Sequence, residues 1–494
     1  MKNEIIAIYY VGGYAKVVAN FLEHYIKNIE IIFVAHELTF DTTVPVKLFE
    51  NFVDENPLKD ILVVIPSDWS FQDISNLCQQ SGYNNLVGYA KYLMPKLLPI
   101  IDNNTMLSNG KKVAIYLPET AVYRKHYTDL PRLLEKKGFS VVLFSNKALG
   151  DDFEKRHPFV QIKHPFLIYF FSFHFDVLIS DNCLLPSFSE ELLNTKKVYL
   201  PHGWIGLAER MVDAQIPLNE IKNSLELSLF NVFDYLFMPN KQTFDFFSQV
   251  HSTLKCESKL MLIPGGYNSL DLANQEKINS ENTNALPSIL YSPGALPSGN
   301  THESIDISFP FHSENIIKAL LATFPKHQII FRPHPASLND PDIACSVARL
   351  VKRFESNRLF LYDQNKSHKS SFDKAVIMVS DSSTSAYTYG FSQLKPVIFF
   401  LPNGKQKLSL SIGNKSFNSL RYDVGIIVTN IEELIRQTSN ALADTSMFRD
   451  KALDIREREF FNFGHVMEYF TSHMHDIIDD NYVKDWLCLE NGRD

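Results

Sequence analysis

Cysteine is scarce and scattered in this chain. Five are spread over 494 residues, Cys78, Cys183, Cys256, Cys345 and Cys488, with no CxxC pair and no Cys/His cluster. That pattern excludes a zinc-ribbon site and a disulfide framework, and it fits a reducing, cytoplasmic compartment. A basic excess is also missing. The 48 Lys and Arg stand against 56 Asp and Glu, a net charge of −8. Non-specific nucleic-acid binding asks for the opposite balance, although a local basic cleft for phosphates remains compatible with it. No run reaches the roughly 20 apolar residues of a spanning helix. The most membrane-like stretch, Pro165–Leu178, contains His174 and Asp176 and reads as a buried helix and strand. The start, MKNEIIAIYYVGGYAK, places Glu4 before a short apolar run and lacks a signal-peptide cleavage pattern. Internal repeats and low-complexity tracts are absent. So is a convincing DxD metal pair: Asp340-Pro341-Asp342 matches by letters and reads as a turn. No metal and no cofactor are therefore expected.

What is present is an ordinary globular composition, 45% hydrophobic and 21% charged, in a chain long enough for two or three domains. Apolar strand-like runs alternate with helical periodicity throughout, which predicts parallel sheets with crossover helices. The first series has strands at Ile5–Tyr10, Ile31–Val34 and Ile61–Ile65, with helices at Tyr14–Lys27 and Ile74–Ser81. The polar stretch Asp102–Lys112 follows as a linker. The second series has strands at Val113–Leu117, Val141–Phe144, Val177–Ser180, Lys197–Leu200, Tyr235–Met238 and Leu260–Ile263. Its helix Leu130–Lys137 stops at Gly138. Asp271–Pro287 is polar without clear periodicity. The third series has strands at Ile289–Ser292, His327–Phe331, Leu359–Leu361, Ala375–Val379 and Pro396–Phe400, with an edge at Gly425–Val428. Its helices are predicted at Glu314–Phe324 and Ala386–Ser392. Beyond about Asp444 the chain reads as helices, including Phe461–Asp480. The predicted division is an accessory α/β domain over 1–108, an acceptor-side Rossmann-like domain over 109–275, a nucleotide-donor Rossmann-like domain over 276–445, and C-terminal helices over 446–494.

Open parallel sheets bind ligands beyond the carboxyl ends of their strands, so the residues just after each strand matter most. Pro201-His202-Gly203-Trp204 follows KKVYL. His202 there can accept a proton from an acceptor hydroxyl. Arg332-Pro333-His334-Pro335 follows HQIIF; Arg332 offers a planar fork to phosphate oxygens, and His334 can donate to a phosphate or protonate it as it leaves. Ser380-Asp381-Ser382-Ser383-Thr384-Ser385 joins a strand to a helix, where hydroxyls and free backbone N–H groups make an anion site. Gly265-Gly266-Tyr267 allows close backbone approach or a hinge, and Tyr291-Ser292-Pro293-Gly294 is a similar strand exit. Together Arg332, His334 and the Ser382–Thr384 helix start can stabilise a leaving nucleoside phosphate without a metal.

The ordered series HG, GGYNSLD, ILYSPG, FRPHP, SDSST and LKPVIFF, spanning about residues 175–405, resembles the CDP-glycerol glycerophosphotransferases of teichoic acid and capsule synthesis. The resemblance implies a GT-B-like fold, two Rossmann-like domains facing across a cleft, here with an extra N-terminal α/β domain. It implies His202 as catalytic base. Arg332 and His334 would hold the donor diphosphate, Ser382, Ser383 and Thr384 would contact phosphate, and Lys395-Pro396 would close the same sheet. Asp381, Ser292, Gly265 and Gly266 belong to the same set of donor-side positions. Two positions depart from the pattern: Trp204 stands where the family usually has Thr, and Pro293 leads into Gly294-Ala295 where it usually has a Trp-Arg pair.

His334-Pro335 and Ser382-Ser383 also resemble pairs in bacterial sialyltransferases and Kdo transferases, which use CMP-sugars. In that reading a carboxylate on the N-terminal side acts as base or nucleophile, with Glu119 and Asp181 as the candidates. The expected activity is thus transfer of a glycerol-phosphate or related polyol-phosphate from a cytidine-nucleotide donor to a hydroxyl of a glycan or polyol-phosphate polymer: teichoic acid, capsule or lipopolysaccharide. The alternatives are a CMP-sugar glycosyltransferase and a non-catalytic nucleotide-binding assembly protein. Such acceptors imply a cytoplasmic enzyme attached peripherally at the inner membrane face.

Overall fold

The computed structural model describes residues 4–9, 15, 19, 23, 29–36, 45–55, 61–65, 71–88, 110–117, 127, 129–145, 159–161, 175–181, 195–201, 218–254, 259–278, 286–294, 308–338, 340–365, 368–381, 383–402 and 421–490. Its strands are short apolar runs whose side chains are mostly buried on both faces, as parallel sheets covered by helices require. The run Ser140–Ser145 is buried at every position. Contacts divide the chain into two units, Met1–Glu119 with Leu134–Lys197, and Thr120–Leu133 with Val198–Asp494.

In the first unit, β1 (Glu4–Tyr9), β2 (Ile29–Ala35), β3 (Val46–Leu48), β4 (Leu62–Ile65) and β5 (Leu86–Gly88) form a parallel sheet in the order β3-β2-β1-β4-β5. Its core joins Tyr9, Val34 and Ile65 to Phe49 and Phe52 of helix Phe49–Glu55, and to Ile74 and Cys78 of helix Phe71–Gln80. Most of the predicted helix Tyr14–Lys27 lies outside the described residues. Among the described residues the strands form one parallel sheet, with β3, β5 and helix Phe49–Glu55 added to the sequence prediction. These are three- and seven-residue elements, too brief to show a period. The same unit holds β6 (Lys112–Tyr116), β7 (Ser140–Ser145), β8 (Phe159–Gln161) and β9 (Val177–Ser180), with β6 between β7 and β9 and β8 beyond β7.

In the second unit, β10 (Lys196–Tyr199, entering the unit at Val198), β11 (Tyr235–Met238) and β12 (Leu260–Pro264) run parallel. The remaining parallel strands are β13 (Ser288–Tyr291), β14 (Gln328–Phe331), β15 (Phe360–Tyr362), β16 (Ala375–Ser380), β17 (Val397–Phe400) and β18 (Gly425–Val428). They form one sheet in the order β15-β14-β13-β16-β17-β18. Alternate residues serve its two faces. Ile289, Tyr291, Ile329 and Phe331 pack with Ile316 and Leu320 of helix Ser313–Thr323 and Val347 of helix Pro341–Phe354. Leu290, Ile330 and Met378 pack on the other face with Leu270, Tyr387 and Ile455.

The polar segment from Asp271 does not stay irregular: Asn268–Ile278 is helical. Asp271 is buried there and accepts from the backbone N–H groups of Gly464 (2.7 Å) and Val466 (2.9 Å), so a polar residue faces inward and masks the apolar period. These bonds draw the C-terminal tail back across the unit. After helix Ser446–Glu459, Asn462 Nδ2 donates to the carbonyls of Pro264 and Gly265. Phe470 packs edge-on to Phe237 at 4.9 Å, and β19 (Leu487–Leu489) pairs antiparallel with β12. The predicted helix Phe461–Asp480 is two helices, Val466–Ser472 and Met474–Ile478, behind a turn in which Asn462 and Gly464 adopt positive φ. Among the described residues no helix is long and apolar enough to cross a membrane.

Candidate functional site

In the six-stranded sheet the chain lays down β13, β14 and β15 toward one edge, then returns to the other side of β13 with β16, β17 and β18. The crevice beyond the carboxyl ends of β13 and β16 is the topological switch point, where open α/β sheets place ligands. Ser292 follows β13, Arg332 follows β14, Asp363 follows β15 and Asp381 follows β16. Register holds them level. Tyr291 is opposite both Phe331 and Val379. The Arg332 N–H donates to Tyr291 O, the Ser292 N–H to Val379 O and the Asp363 N–H to Phe331 O, each at 2.9 Å. Strands about 4.8 Å apart then put the backbones of Arg332 and Ser380 about 10 Å from each other.

Arg332 is nearly enclosed, and its Nη1 donates to Asp363 Oδ2 at 2.7 Å. The same carboxylate accepts from the Ser371 hydroxyl, the Asn365 N–H (2.9 Å) and Asn365 Nδ2 (2.8 Å). Burial alone would raise the Asp363 carboxyl; the Ser371, Asn365 and Arg332 contacts outweigh it and hold it below the ordinary value of 3.8. Next along, Pro335–Leu338 forms a 3₁₀ turn, with the Ser337 N–H donating to His334 O at 2.9 Å. His334 is half-buried at that bend.

Across the switch point, Ser383 is the N-cap of helix Thr384–Gln393. Its Oγ contacts the Ser385 N–H at 3.4 Å and Ser385 Oγ at 2.8 Å. Thr384 opens the helix and stays partly exposed. A ten-residue helix pointing its first N–H groups into this crevice attracts an anion. The structure thus brings Ser292, Arg332, His334, Ser383 and Thr384 to one end of one sheet.

Other sequence candidates fall elsewhere. Asp381 was expected on the phosphate side; it is instead wholly buried beneath it. Its Oδ1 accepts from the Gly294 N–H (2.8 Å), and its Oδ2 from the Ser308 N–H (2.7 Å) and Ser308 Oγ (2.8 Å). Burial pushes its carboxyl up despite these bonds. Its lone pairs serve the protein, and a buried carboxylate would repel a donor phosphate. Lys395 precedes β17, at the opposite end of the sheet. Its ammonium donates to the carbonyls of Ala375 (2.6 Å) and Asp373 (3.2 Å), about 16 Å along β16 from the carboxyl end, so it is no phosphate ligand. At Gly265 a Cβ would lie 2.3 Å from the Phe237 ring. Gly266 has φ +110°, and a Cβ there would lie 2.4 Å from Phe461 O. The close approach these glycines permit is that of the chain to itself. Asp340-Pro341-Asp342 is a helix start, with Asp340 capping the N–H groups of Asp342 and Ile343. Asp181 is buried at the end of β9. His202, Glu119 and Ser382 lie outside the described residues.

Asp363, with Ser371 and Asn365, is the part of the site that the sequence reading missed. Its signal was the strand-end rule itself, applied to Tyr362-Asp363-Gln364-Asn365 as it had been to the other exits. Ser308 and Ser313 were missed as well. They flank the Tyr291 hydroxyl at 2.8 and 2.7 Å and so fill the space under β13.

No protein-family model and no curated protein matches the chain. Among solved structures, a variant of the wall teichoic acid polymerase TagF aligns with a TM-score of 0.51 at 14% identity, over 83% of this chain and 97% of that one. A variant of the same polymerase soaked with CDPG gives a TM-score of 0.50 at 14% identity over the same shares. Sucrose-phosphate synthase from Thermosynechococcus elongatus aligns at 0.45 and 13% identity, over 75% of this chain and 100% of that one. At 14% identity the likeness to the polymerase is one of fold. With the strand orders above, it establishes a mixed α/β chain of several parallel Rossmann-like sheets, similar to the GT-B glycosyltransferases.

Proposed function

We propose that this chain transfers a group from a cytidine-nucleotide donor, of the CDP-glycerol type, to a hydroxyl of a cell-surface polymer. The observation that carries the reading is that Arg332 and His334 lie beyond the carboxyl end of β14 and the Ser383–Thr384 helix start beyond that of β16, on either side of β13. A guanidinium and a helix N-terminus flanking one crevice suit a diphosphate. The ordered motifs HG through LKPVIFF and the fold-level likeness to a polymerase studied with CDPG support the same class.

In the proposed reaction His202 takes the proton of the acceptor hydroxyl as its oxygen bonds to the phosphorus bearing the glycerol. The bond from that phosphorus to the bridging oxygen breaks, and CMP leaves with the electron pair. Arg332 and the helix start stabilise the charge that develops on the leaving phosphate, and His334 donates to it. The proposed reaction calls on no metal: cationic and backbone donors fill that role. Acceptors of this class imply work at the inner membrane face.

One observation favours a second reading, a CMP-sugar transferase. The exit of β13 carries Pro293-Gly294 in place of an arginine, and the Gly294 N–H is turned to Asp381. Asp181 would then be the acceptor-side carboxylate. Turnover assays with CDP-glycerol, CDP-ribitol, CMP-Kdo and CMP-sialic acid separate the two readings. Release of CMP from CDP-glycerol supports the first, and release only from a CMP-sugar replaces it. Cytidine-nucleotide binding with no turnover of any donor assigns the chain to assembly rather than catalysis.

A further inference from the structure

We propose that Asp363 is a positioning residue which fixes the Arg332 guanidinium for the donor diphosphate. The proposal deepens the cytidine-donor reading and rests on it for the identity of the ligand. Asp363 is over-determined. Its backbone N–H extends the ladder to Phe331 O at 2.9 Å. Its carboxylate accepts from the Ser371 hydroxyl and twice from Asn365 while receiving Arg332 Nη1. Its side chain is 2% exposed and that of Arg332 is 10% exposed. A carboxylate held from several directions cannot follow a moving partner, so it anchors Nη1 and with it one end of the guanidinium.

Stability alone is weak evidence for why such a pair is there, because buried ion pairs are often matched or bettered by apolar packing. Function gives one. A guanidinium carries five N–H donors, and the bond to Asp363 engages Nη1. Ordering the fork before the ligand arrives removes a cost that binding would otherwise carry. The opposite physical outcome is also definite: if Asp363 merely neutralised Arg332, removing its charge would tighten anion binding.

The test is isothermal titration of the full chain with cytidine, CDP and inorganic pyrophosphate, for wild type, Asp363→Asn, Arg332→Ala and the double variant. The milder Ser371→Ala is included in case Asp363→Asn folds poorly, and each variant's melting temperature is recorded. Asp363→Asn is expected to weaken CDP and pyrophosphate at least tenfold with cytidine affinity unchanged. Ser371→Ala should shift the same ratio less. The double variant should lose no more than Arg332→Ala alone, the signature of two groups acting as one. An unchanged ratio of CDP to cytidine affinity, even with a lowered melting temperature, overturns the proposal, as does tighter anion binding. Pyrophosphate binding that depends on Asp363 without any preference for cytidine compounds would sustain the positioning role and defeat the cytidine reading. Absence of CDP and pyrophosphate binding by wild type defeats both.

Discussion

Asp381 holds Ser308 through both the backbone N–H and the side-chain hydroxyl, 2.7 and 2.8 Å from one carboxylate oxygen, while its other oxygen holds the Gly294 N–H. One buried carboxylate therefore pins two chain segments on either side of residues 295–307. The relationship explains an acidic side chain beneath a proposed phosphate site: it shapes the exit of β13. Asp381→Ala would leave the buried N–H groups of Gly294 and Ser308 without their acceptor. At about 1–3 kcal/mol for each unsatisfied buried group, a loss of about 2 kcal/mol or more is expected, read as a clear drop in melting temperature.

Asp381 and Asp363 should respond to pH in opposite senses. The folded-state value of Asp363 lies below the ordinary 3.8. The stability it contributes is complete above that ordinary value and is lost as pH falls through the depressed one. The melting-temperature advantage of wild type over Asp363→Asn should thus be flat above about pH 5 and shrink in more acid solution. Asp381 is raised from 3.8 by burial. Its contribution relative to Asp381→Asn should be greatest below 3.8 and decline as pH rises through the elevated folded value. Melting curves of the three proteins between about pH 3 and 8 check both signs.

Two glycines that look alike in the sequence should differ when replaced. Gly265→Ala places a Cβ 2.3 Å from the Phe237 ring, beneath the returning tail, whereas a Cβ at Gly464 meets nothing within 4 Å and bears only the strain of φ +86°. Overpacking in an enclosed site costs about 1–3 kcal/mol or more, and the left-handed conformation alone about 1–2 kcal/mol. Chemical denaturation should therefore show Gly265→Ala as the more damaging variant. Equal costs would mean that the tail yields at Phe237.

His202→Ala should lower turnover of the cognate donor by about 10²–10⁴-fold, the range for losing a general base, with donor affinity unchanged. Steady-state rates and calorimetric affinity measured on the same preparation check it. Retained turnover would remove His202 from the chemistry.

The six-stranded sheet was legible in the sequence because its strands are buried on both faces and so read as unbroken apolar runs: Ile289, Leu290 and Tyr291, or Val397 through Phe400, have no polar interruption. Helix Asn268–Ile278 was hidden because Asp271 faces inward to bind the backbone of Gly464 and Val466, a partner almost two hundred residues away that no local pattern announces. The strand-exit rule anticipated that Arg332, His334 and Ser383 lie beyond the carboxyl ends of their strands. Direction within an exit was not legible. Asp381 and Ser383 are two residues apart, yet one turns into the core and the other caps a helix. Lys395 entered the donor-side set through the family resemblance alone, and its position before β17 puts it at the opposite end of the sheet. Asp363 escaped because its importance lies in Arg332, a residue from a different strand.

The most direct test of the account is the stabilisation of the full chain by nucleoside diphosphates, since a ligand that binds only the folded state raises its melting temperature. CDP should raise it more than UDP or GDP at equal concentration, and Arg332→Ala should abolish the difference. A larger shift with UDP or GDP, or a CDP shift that survives in Arg332→Ala, would contradict the proposed cytidine-donor site at the ends of β13, β14 and β16.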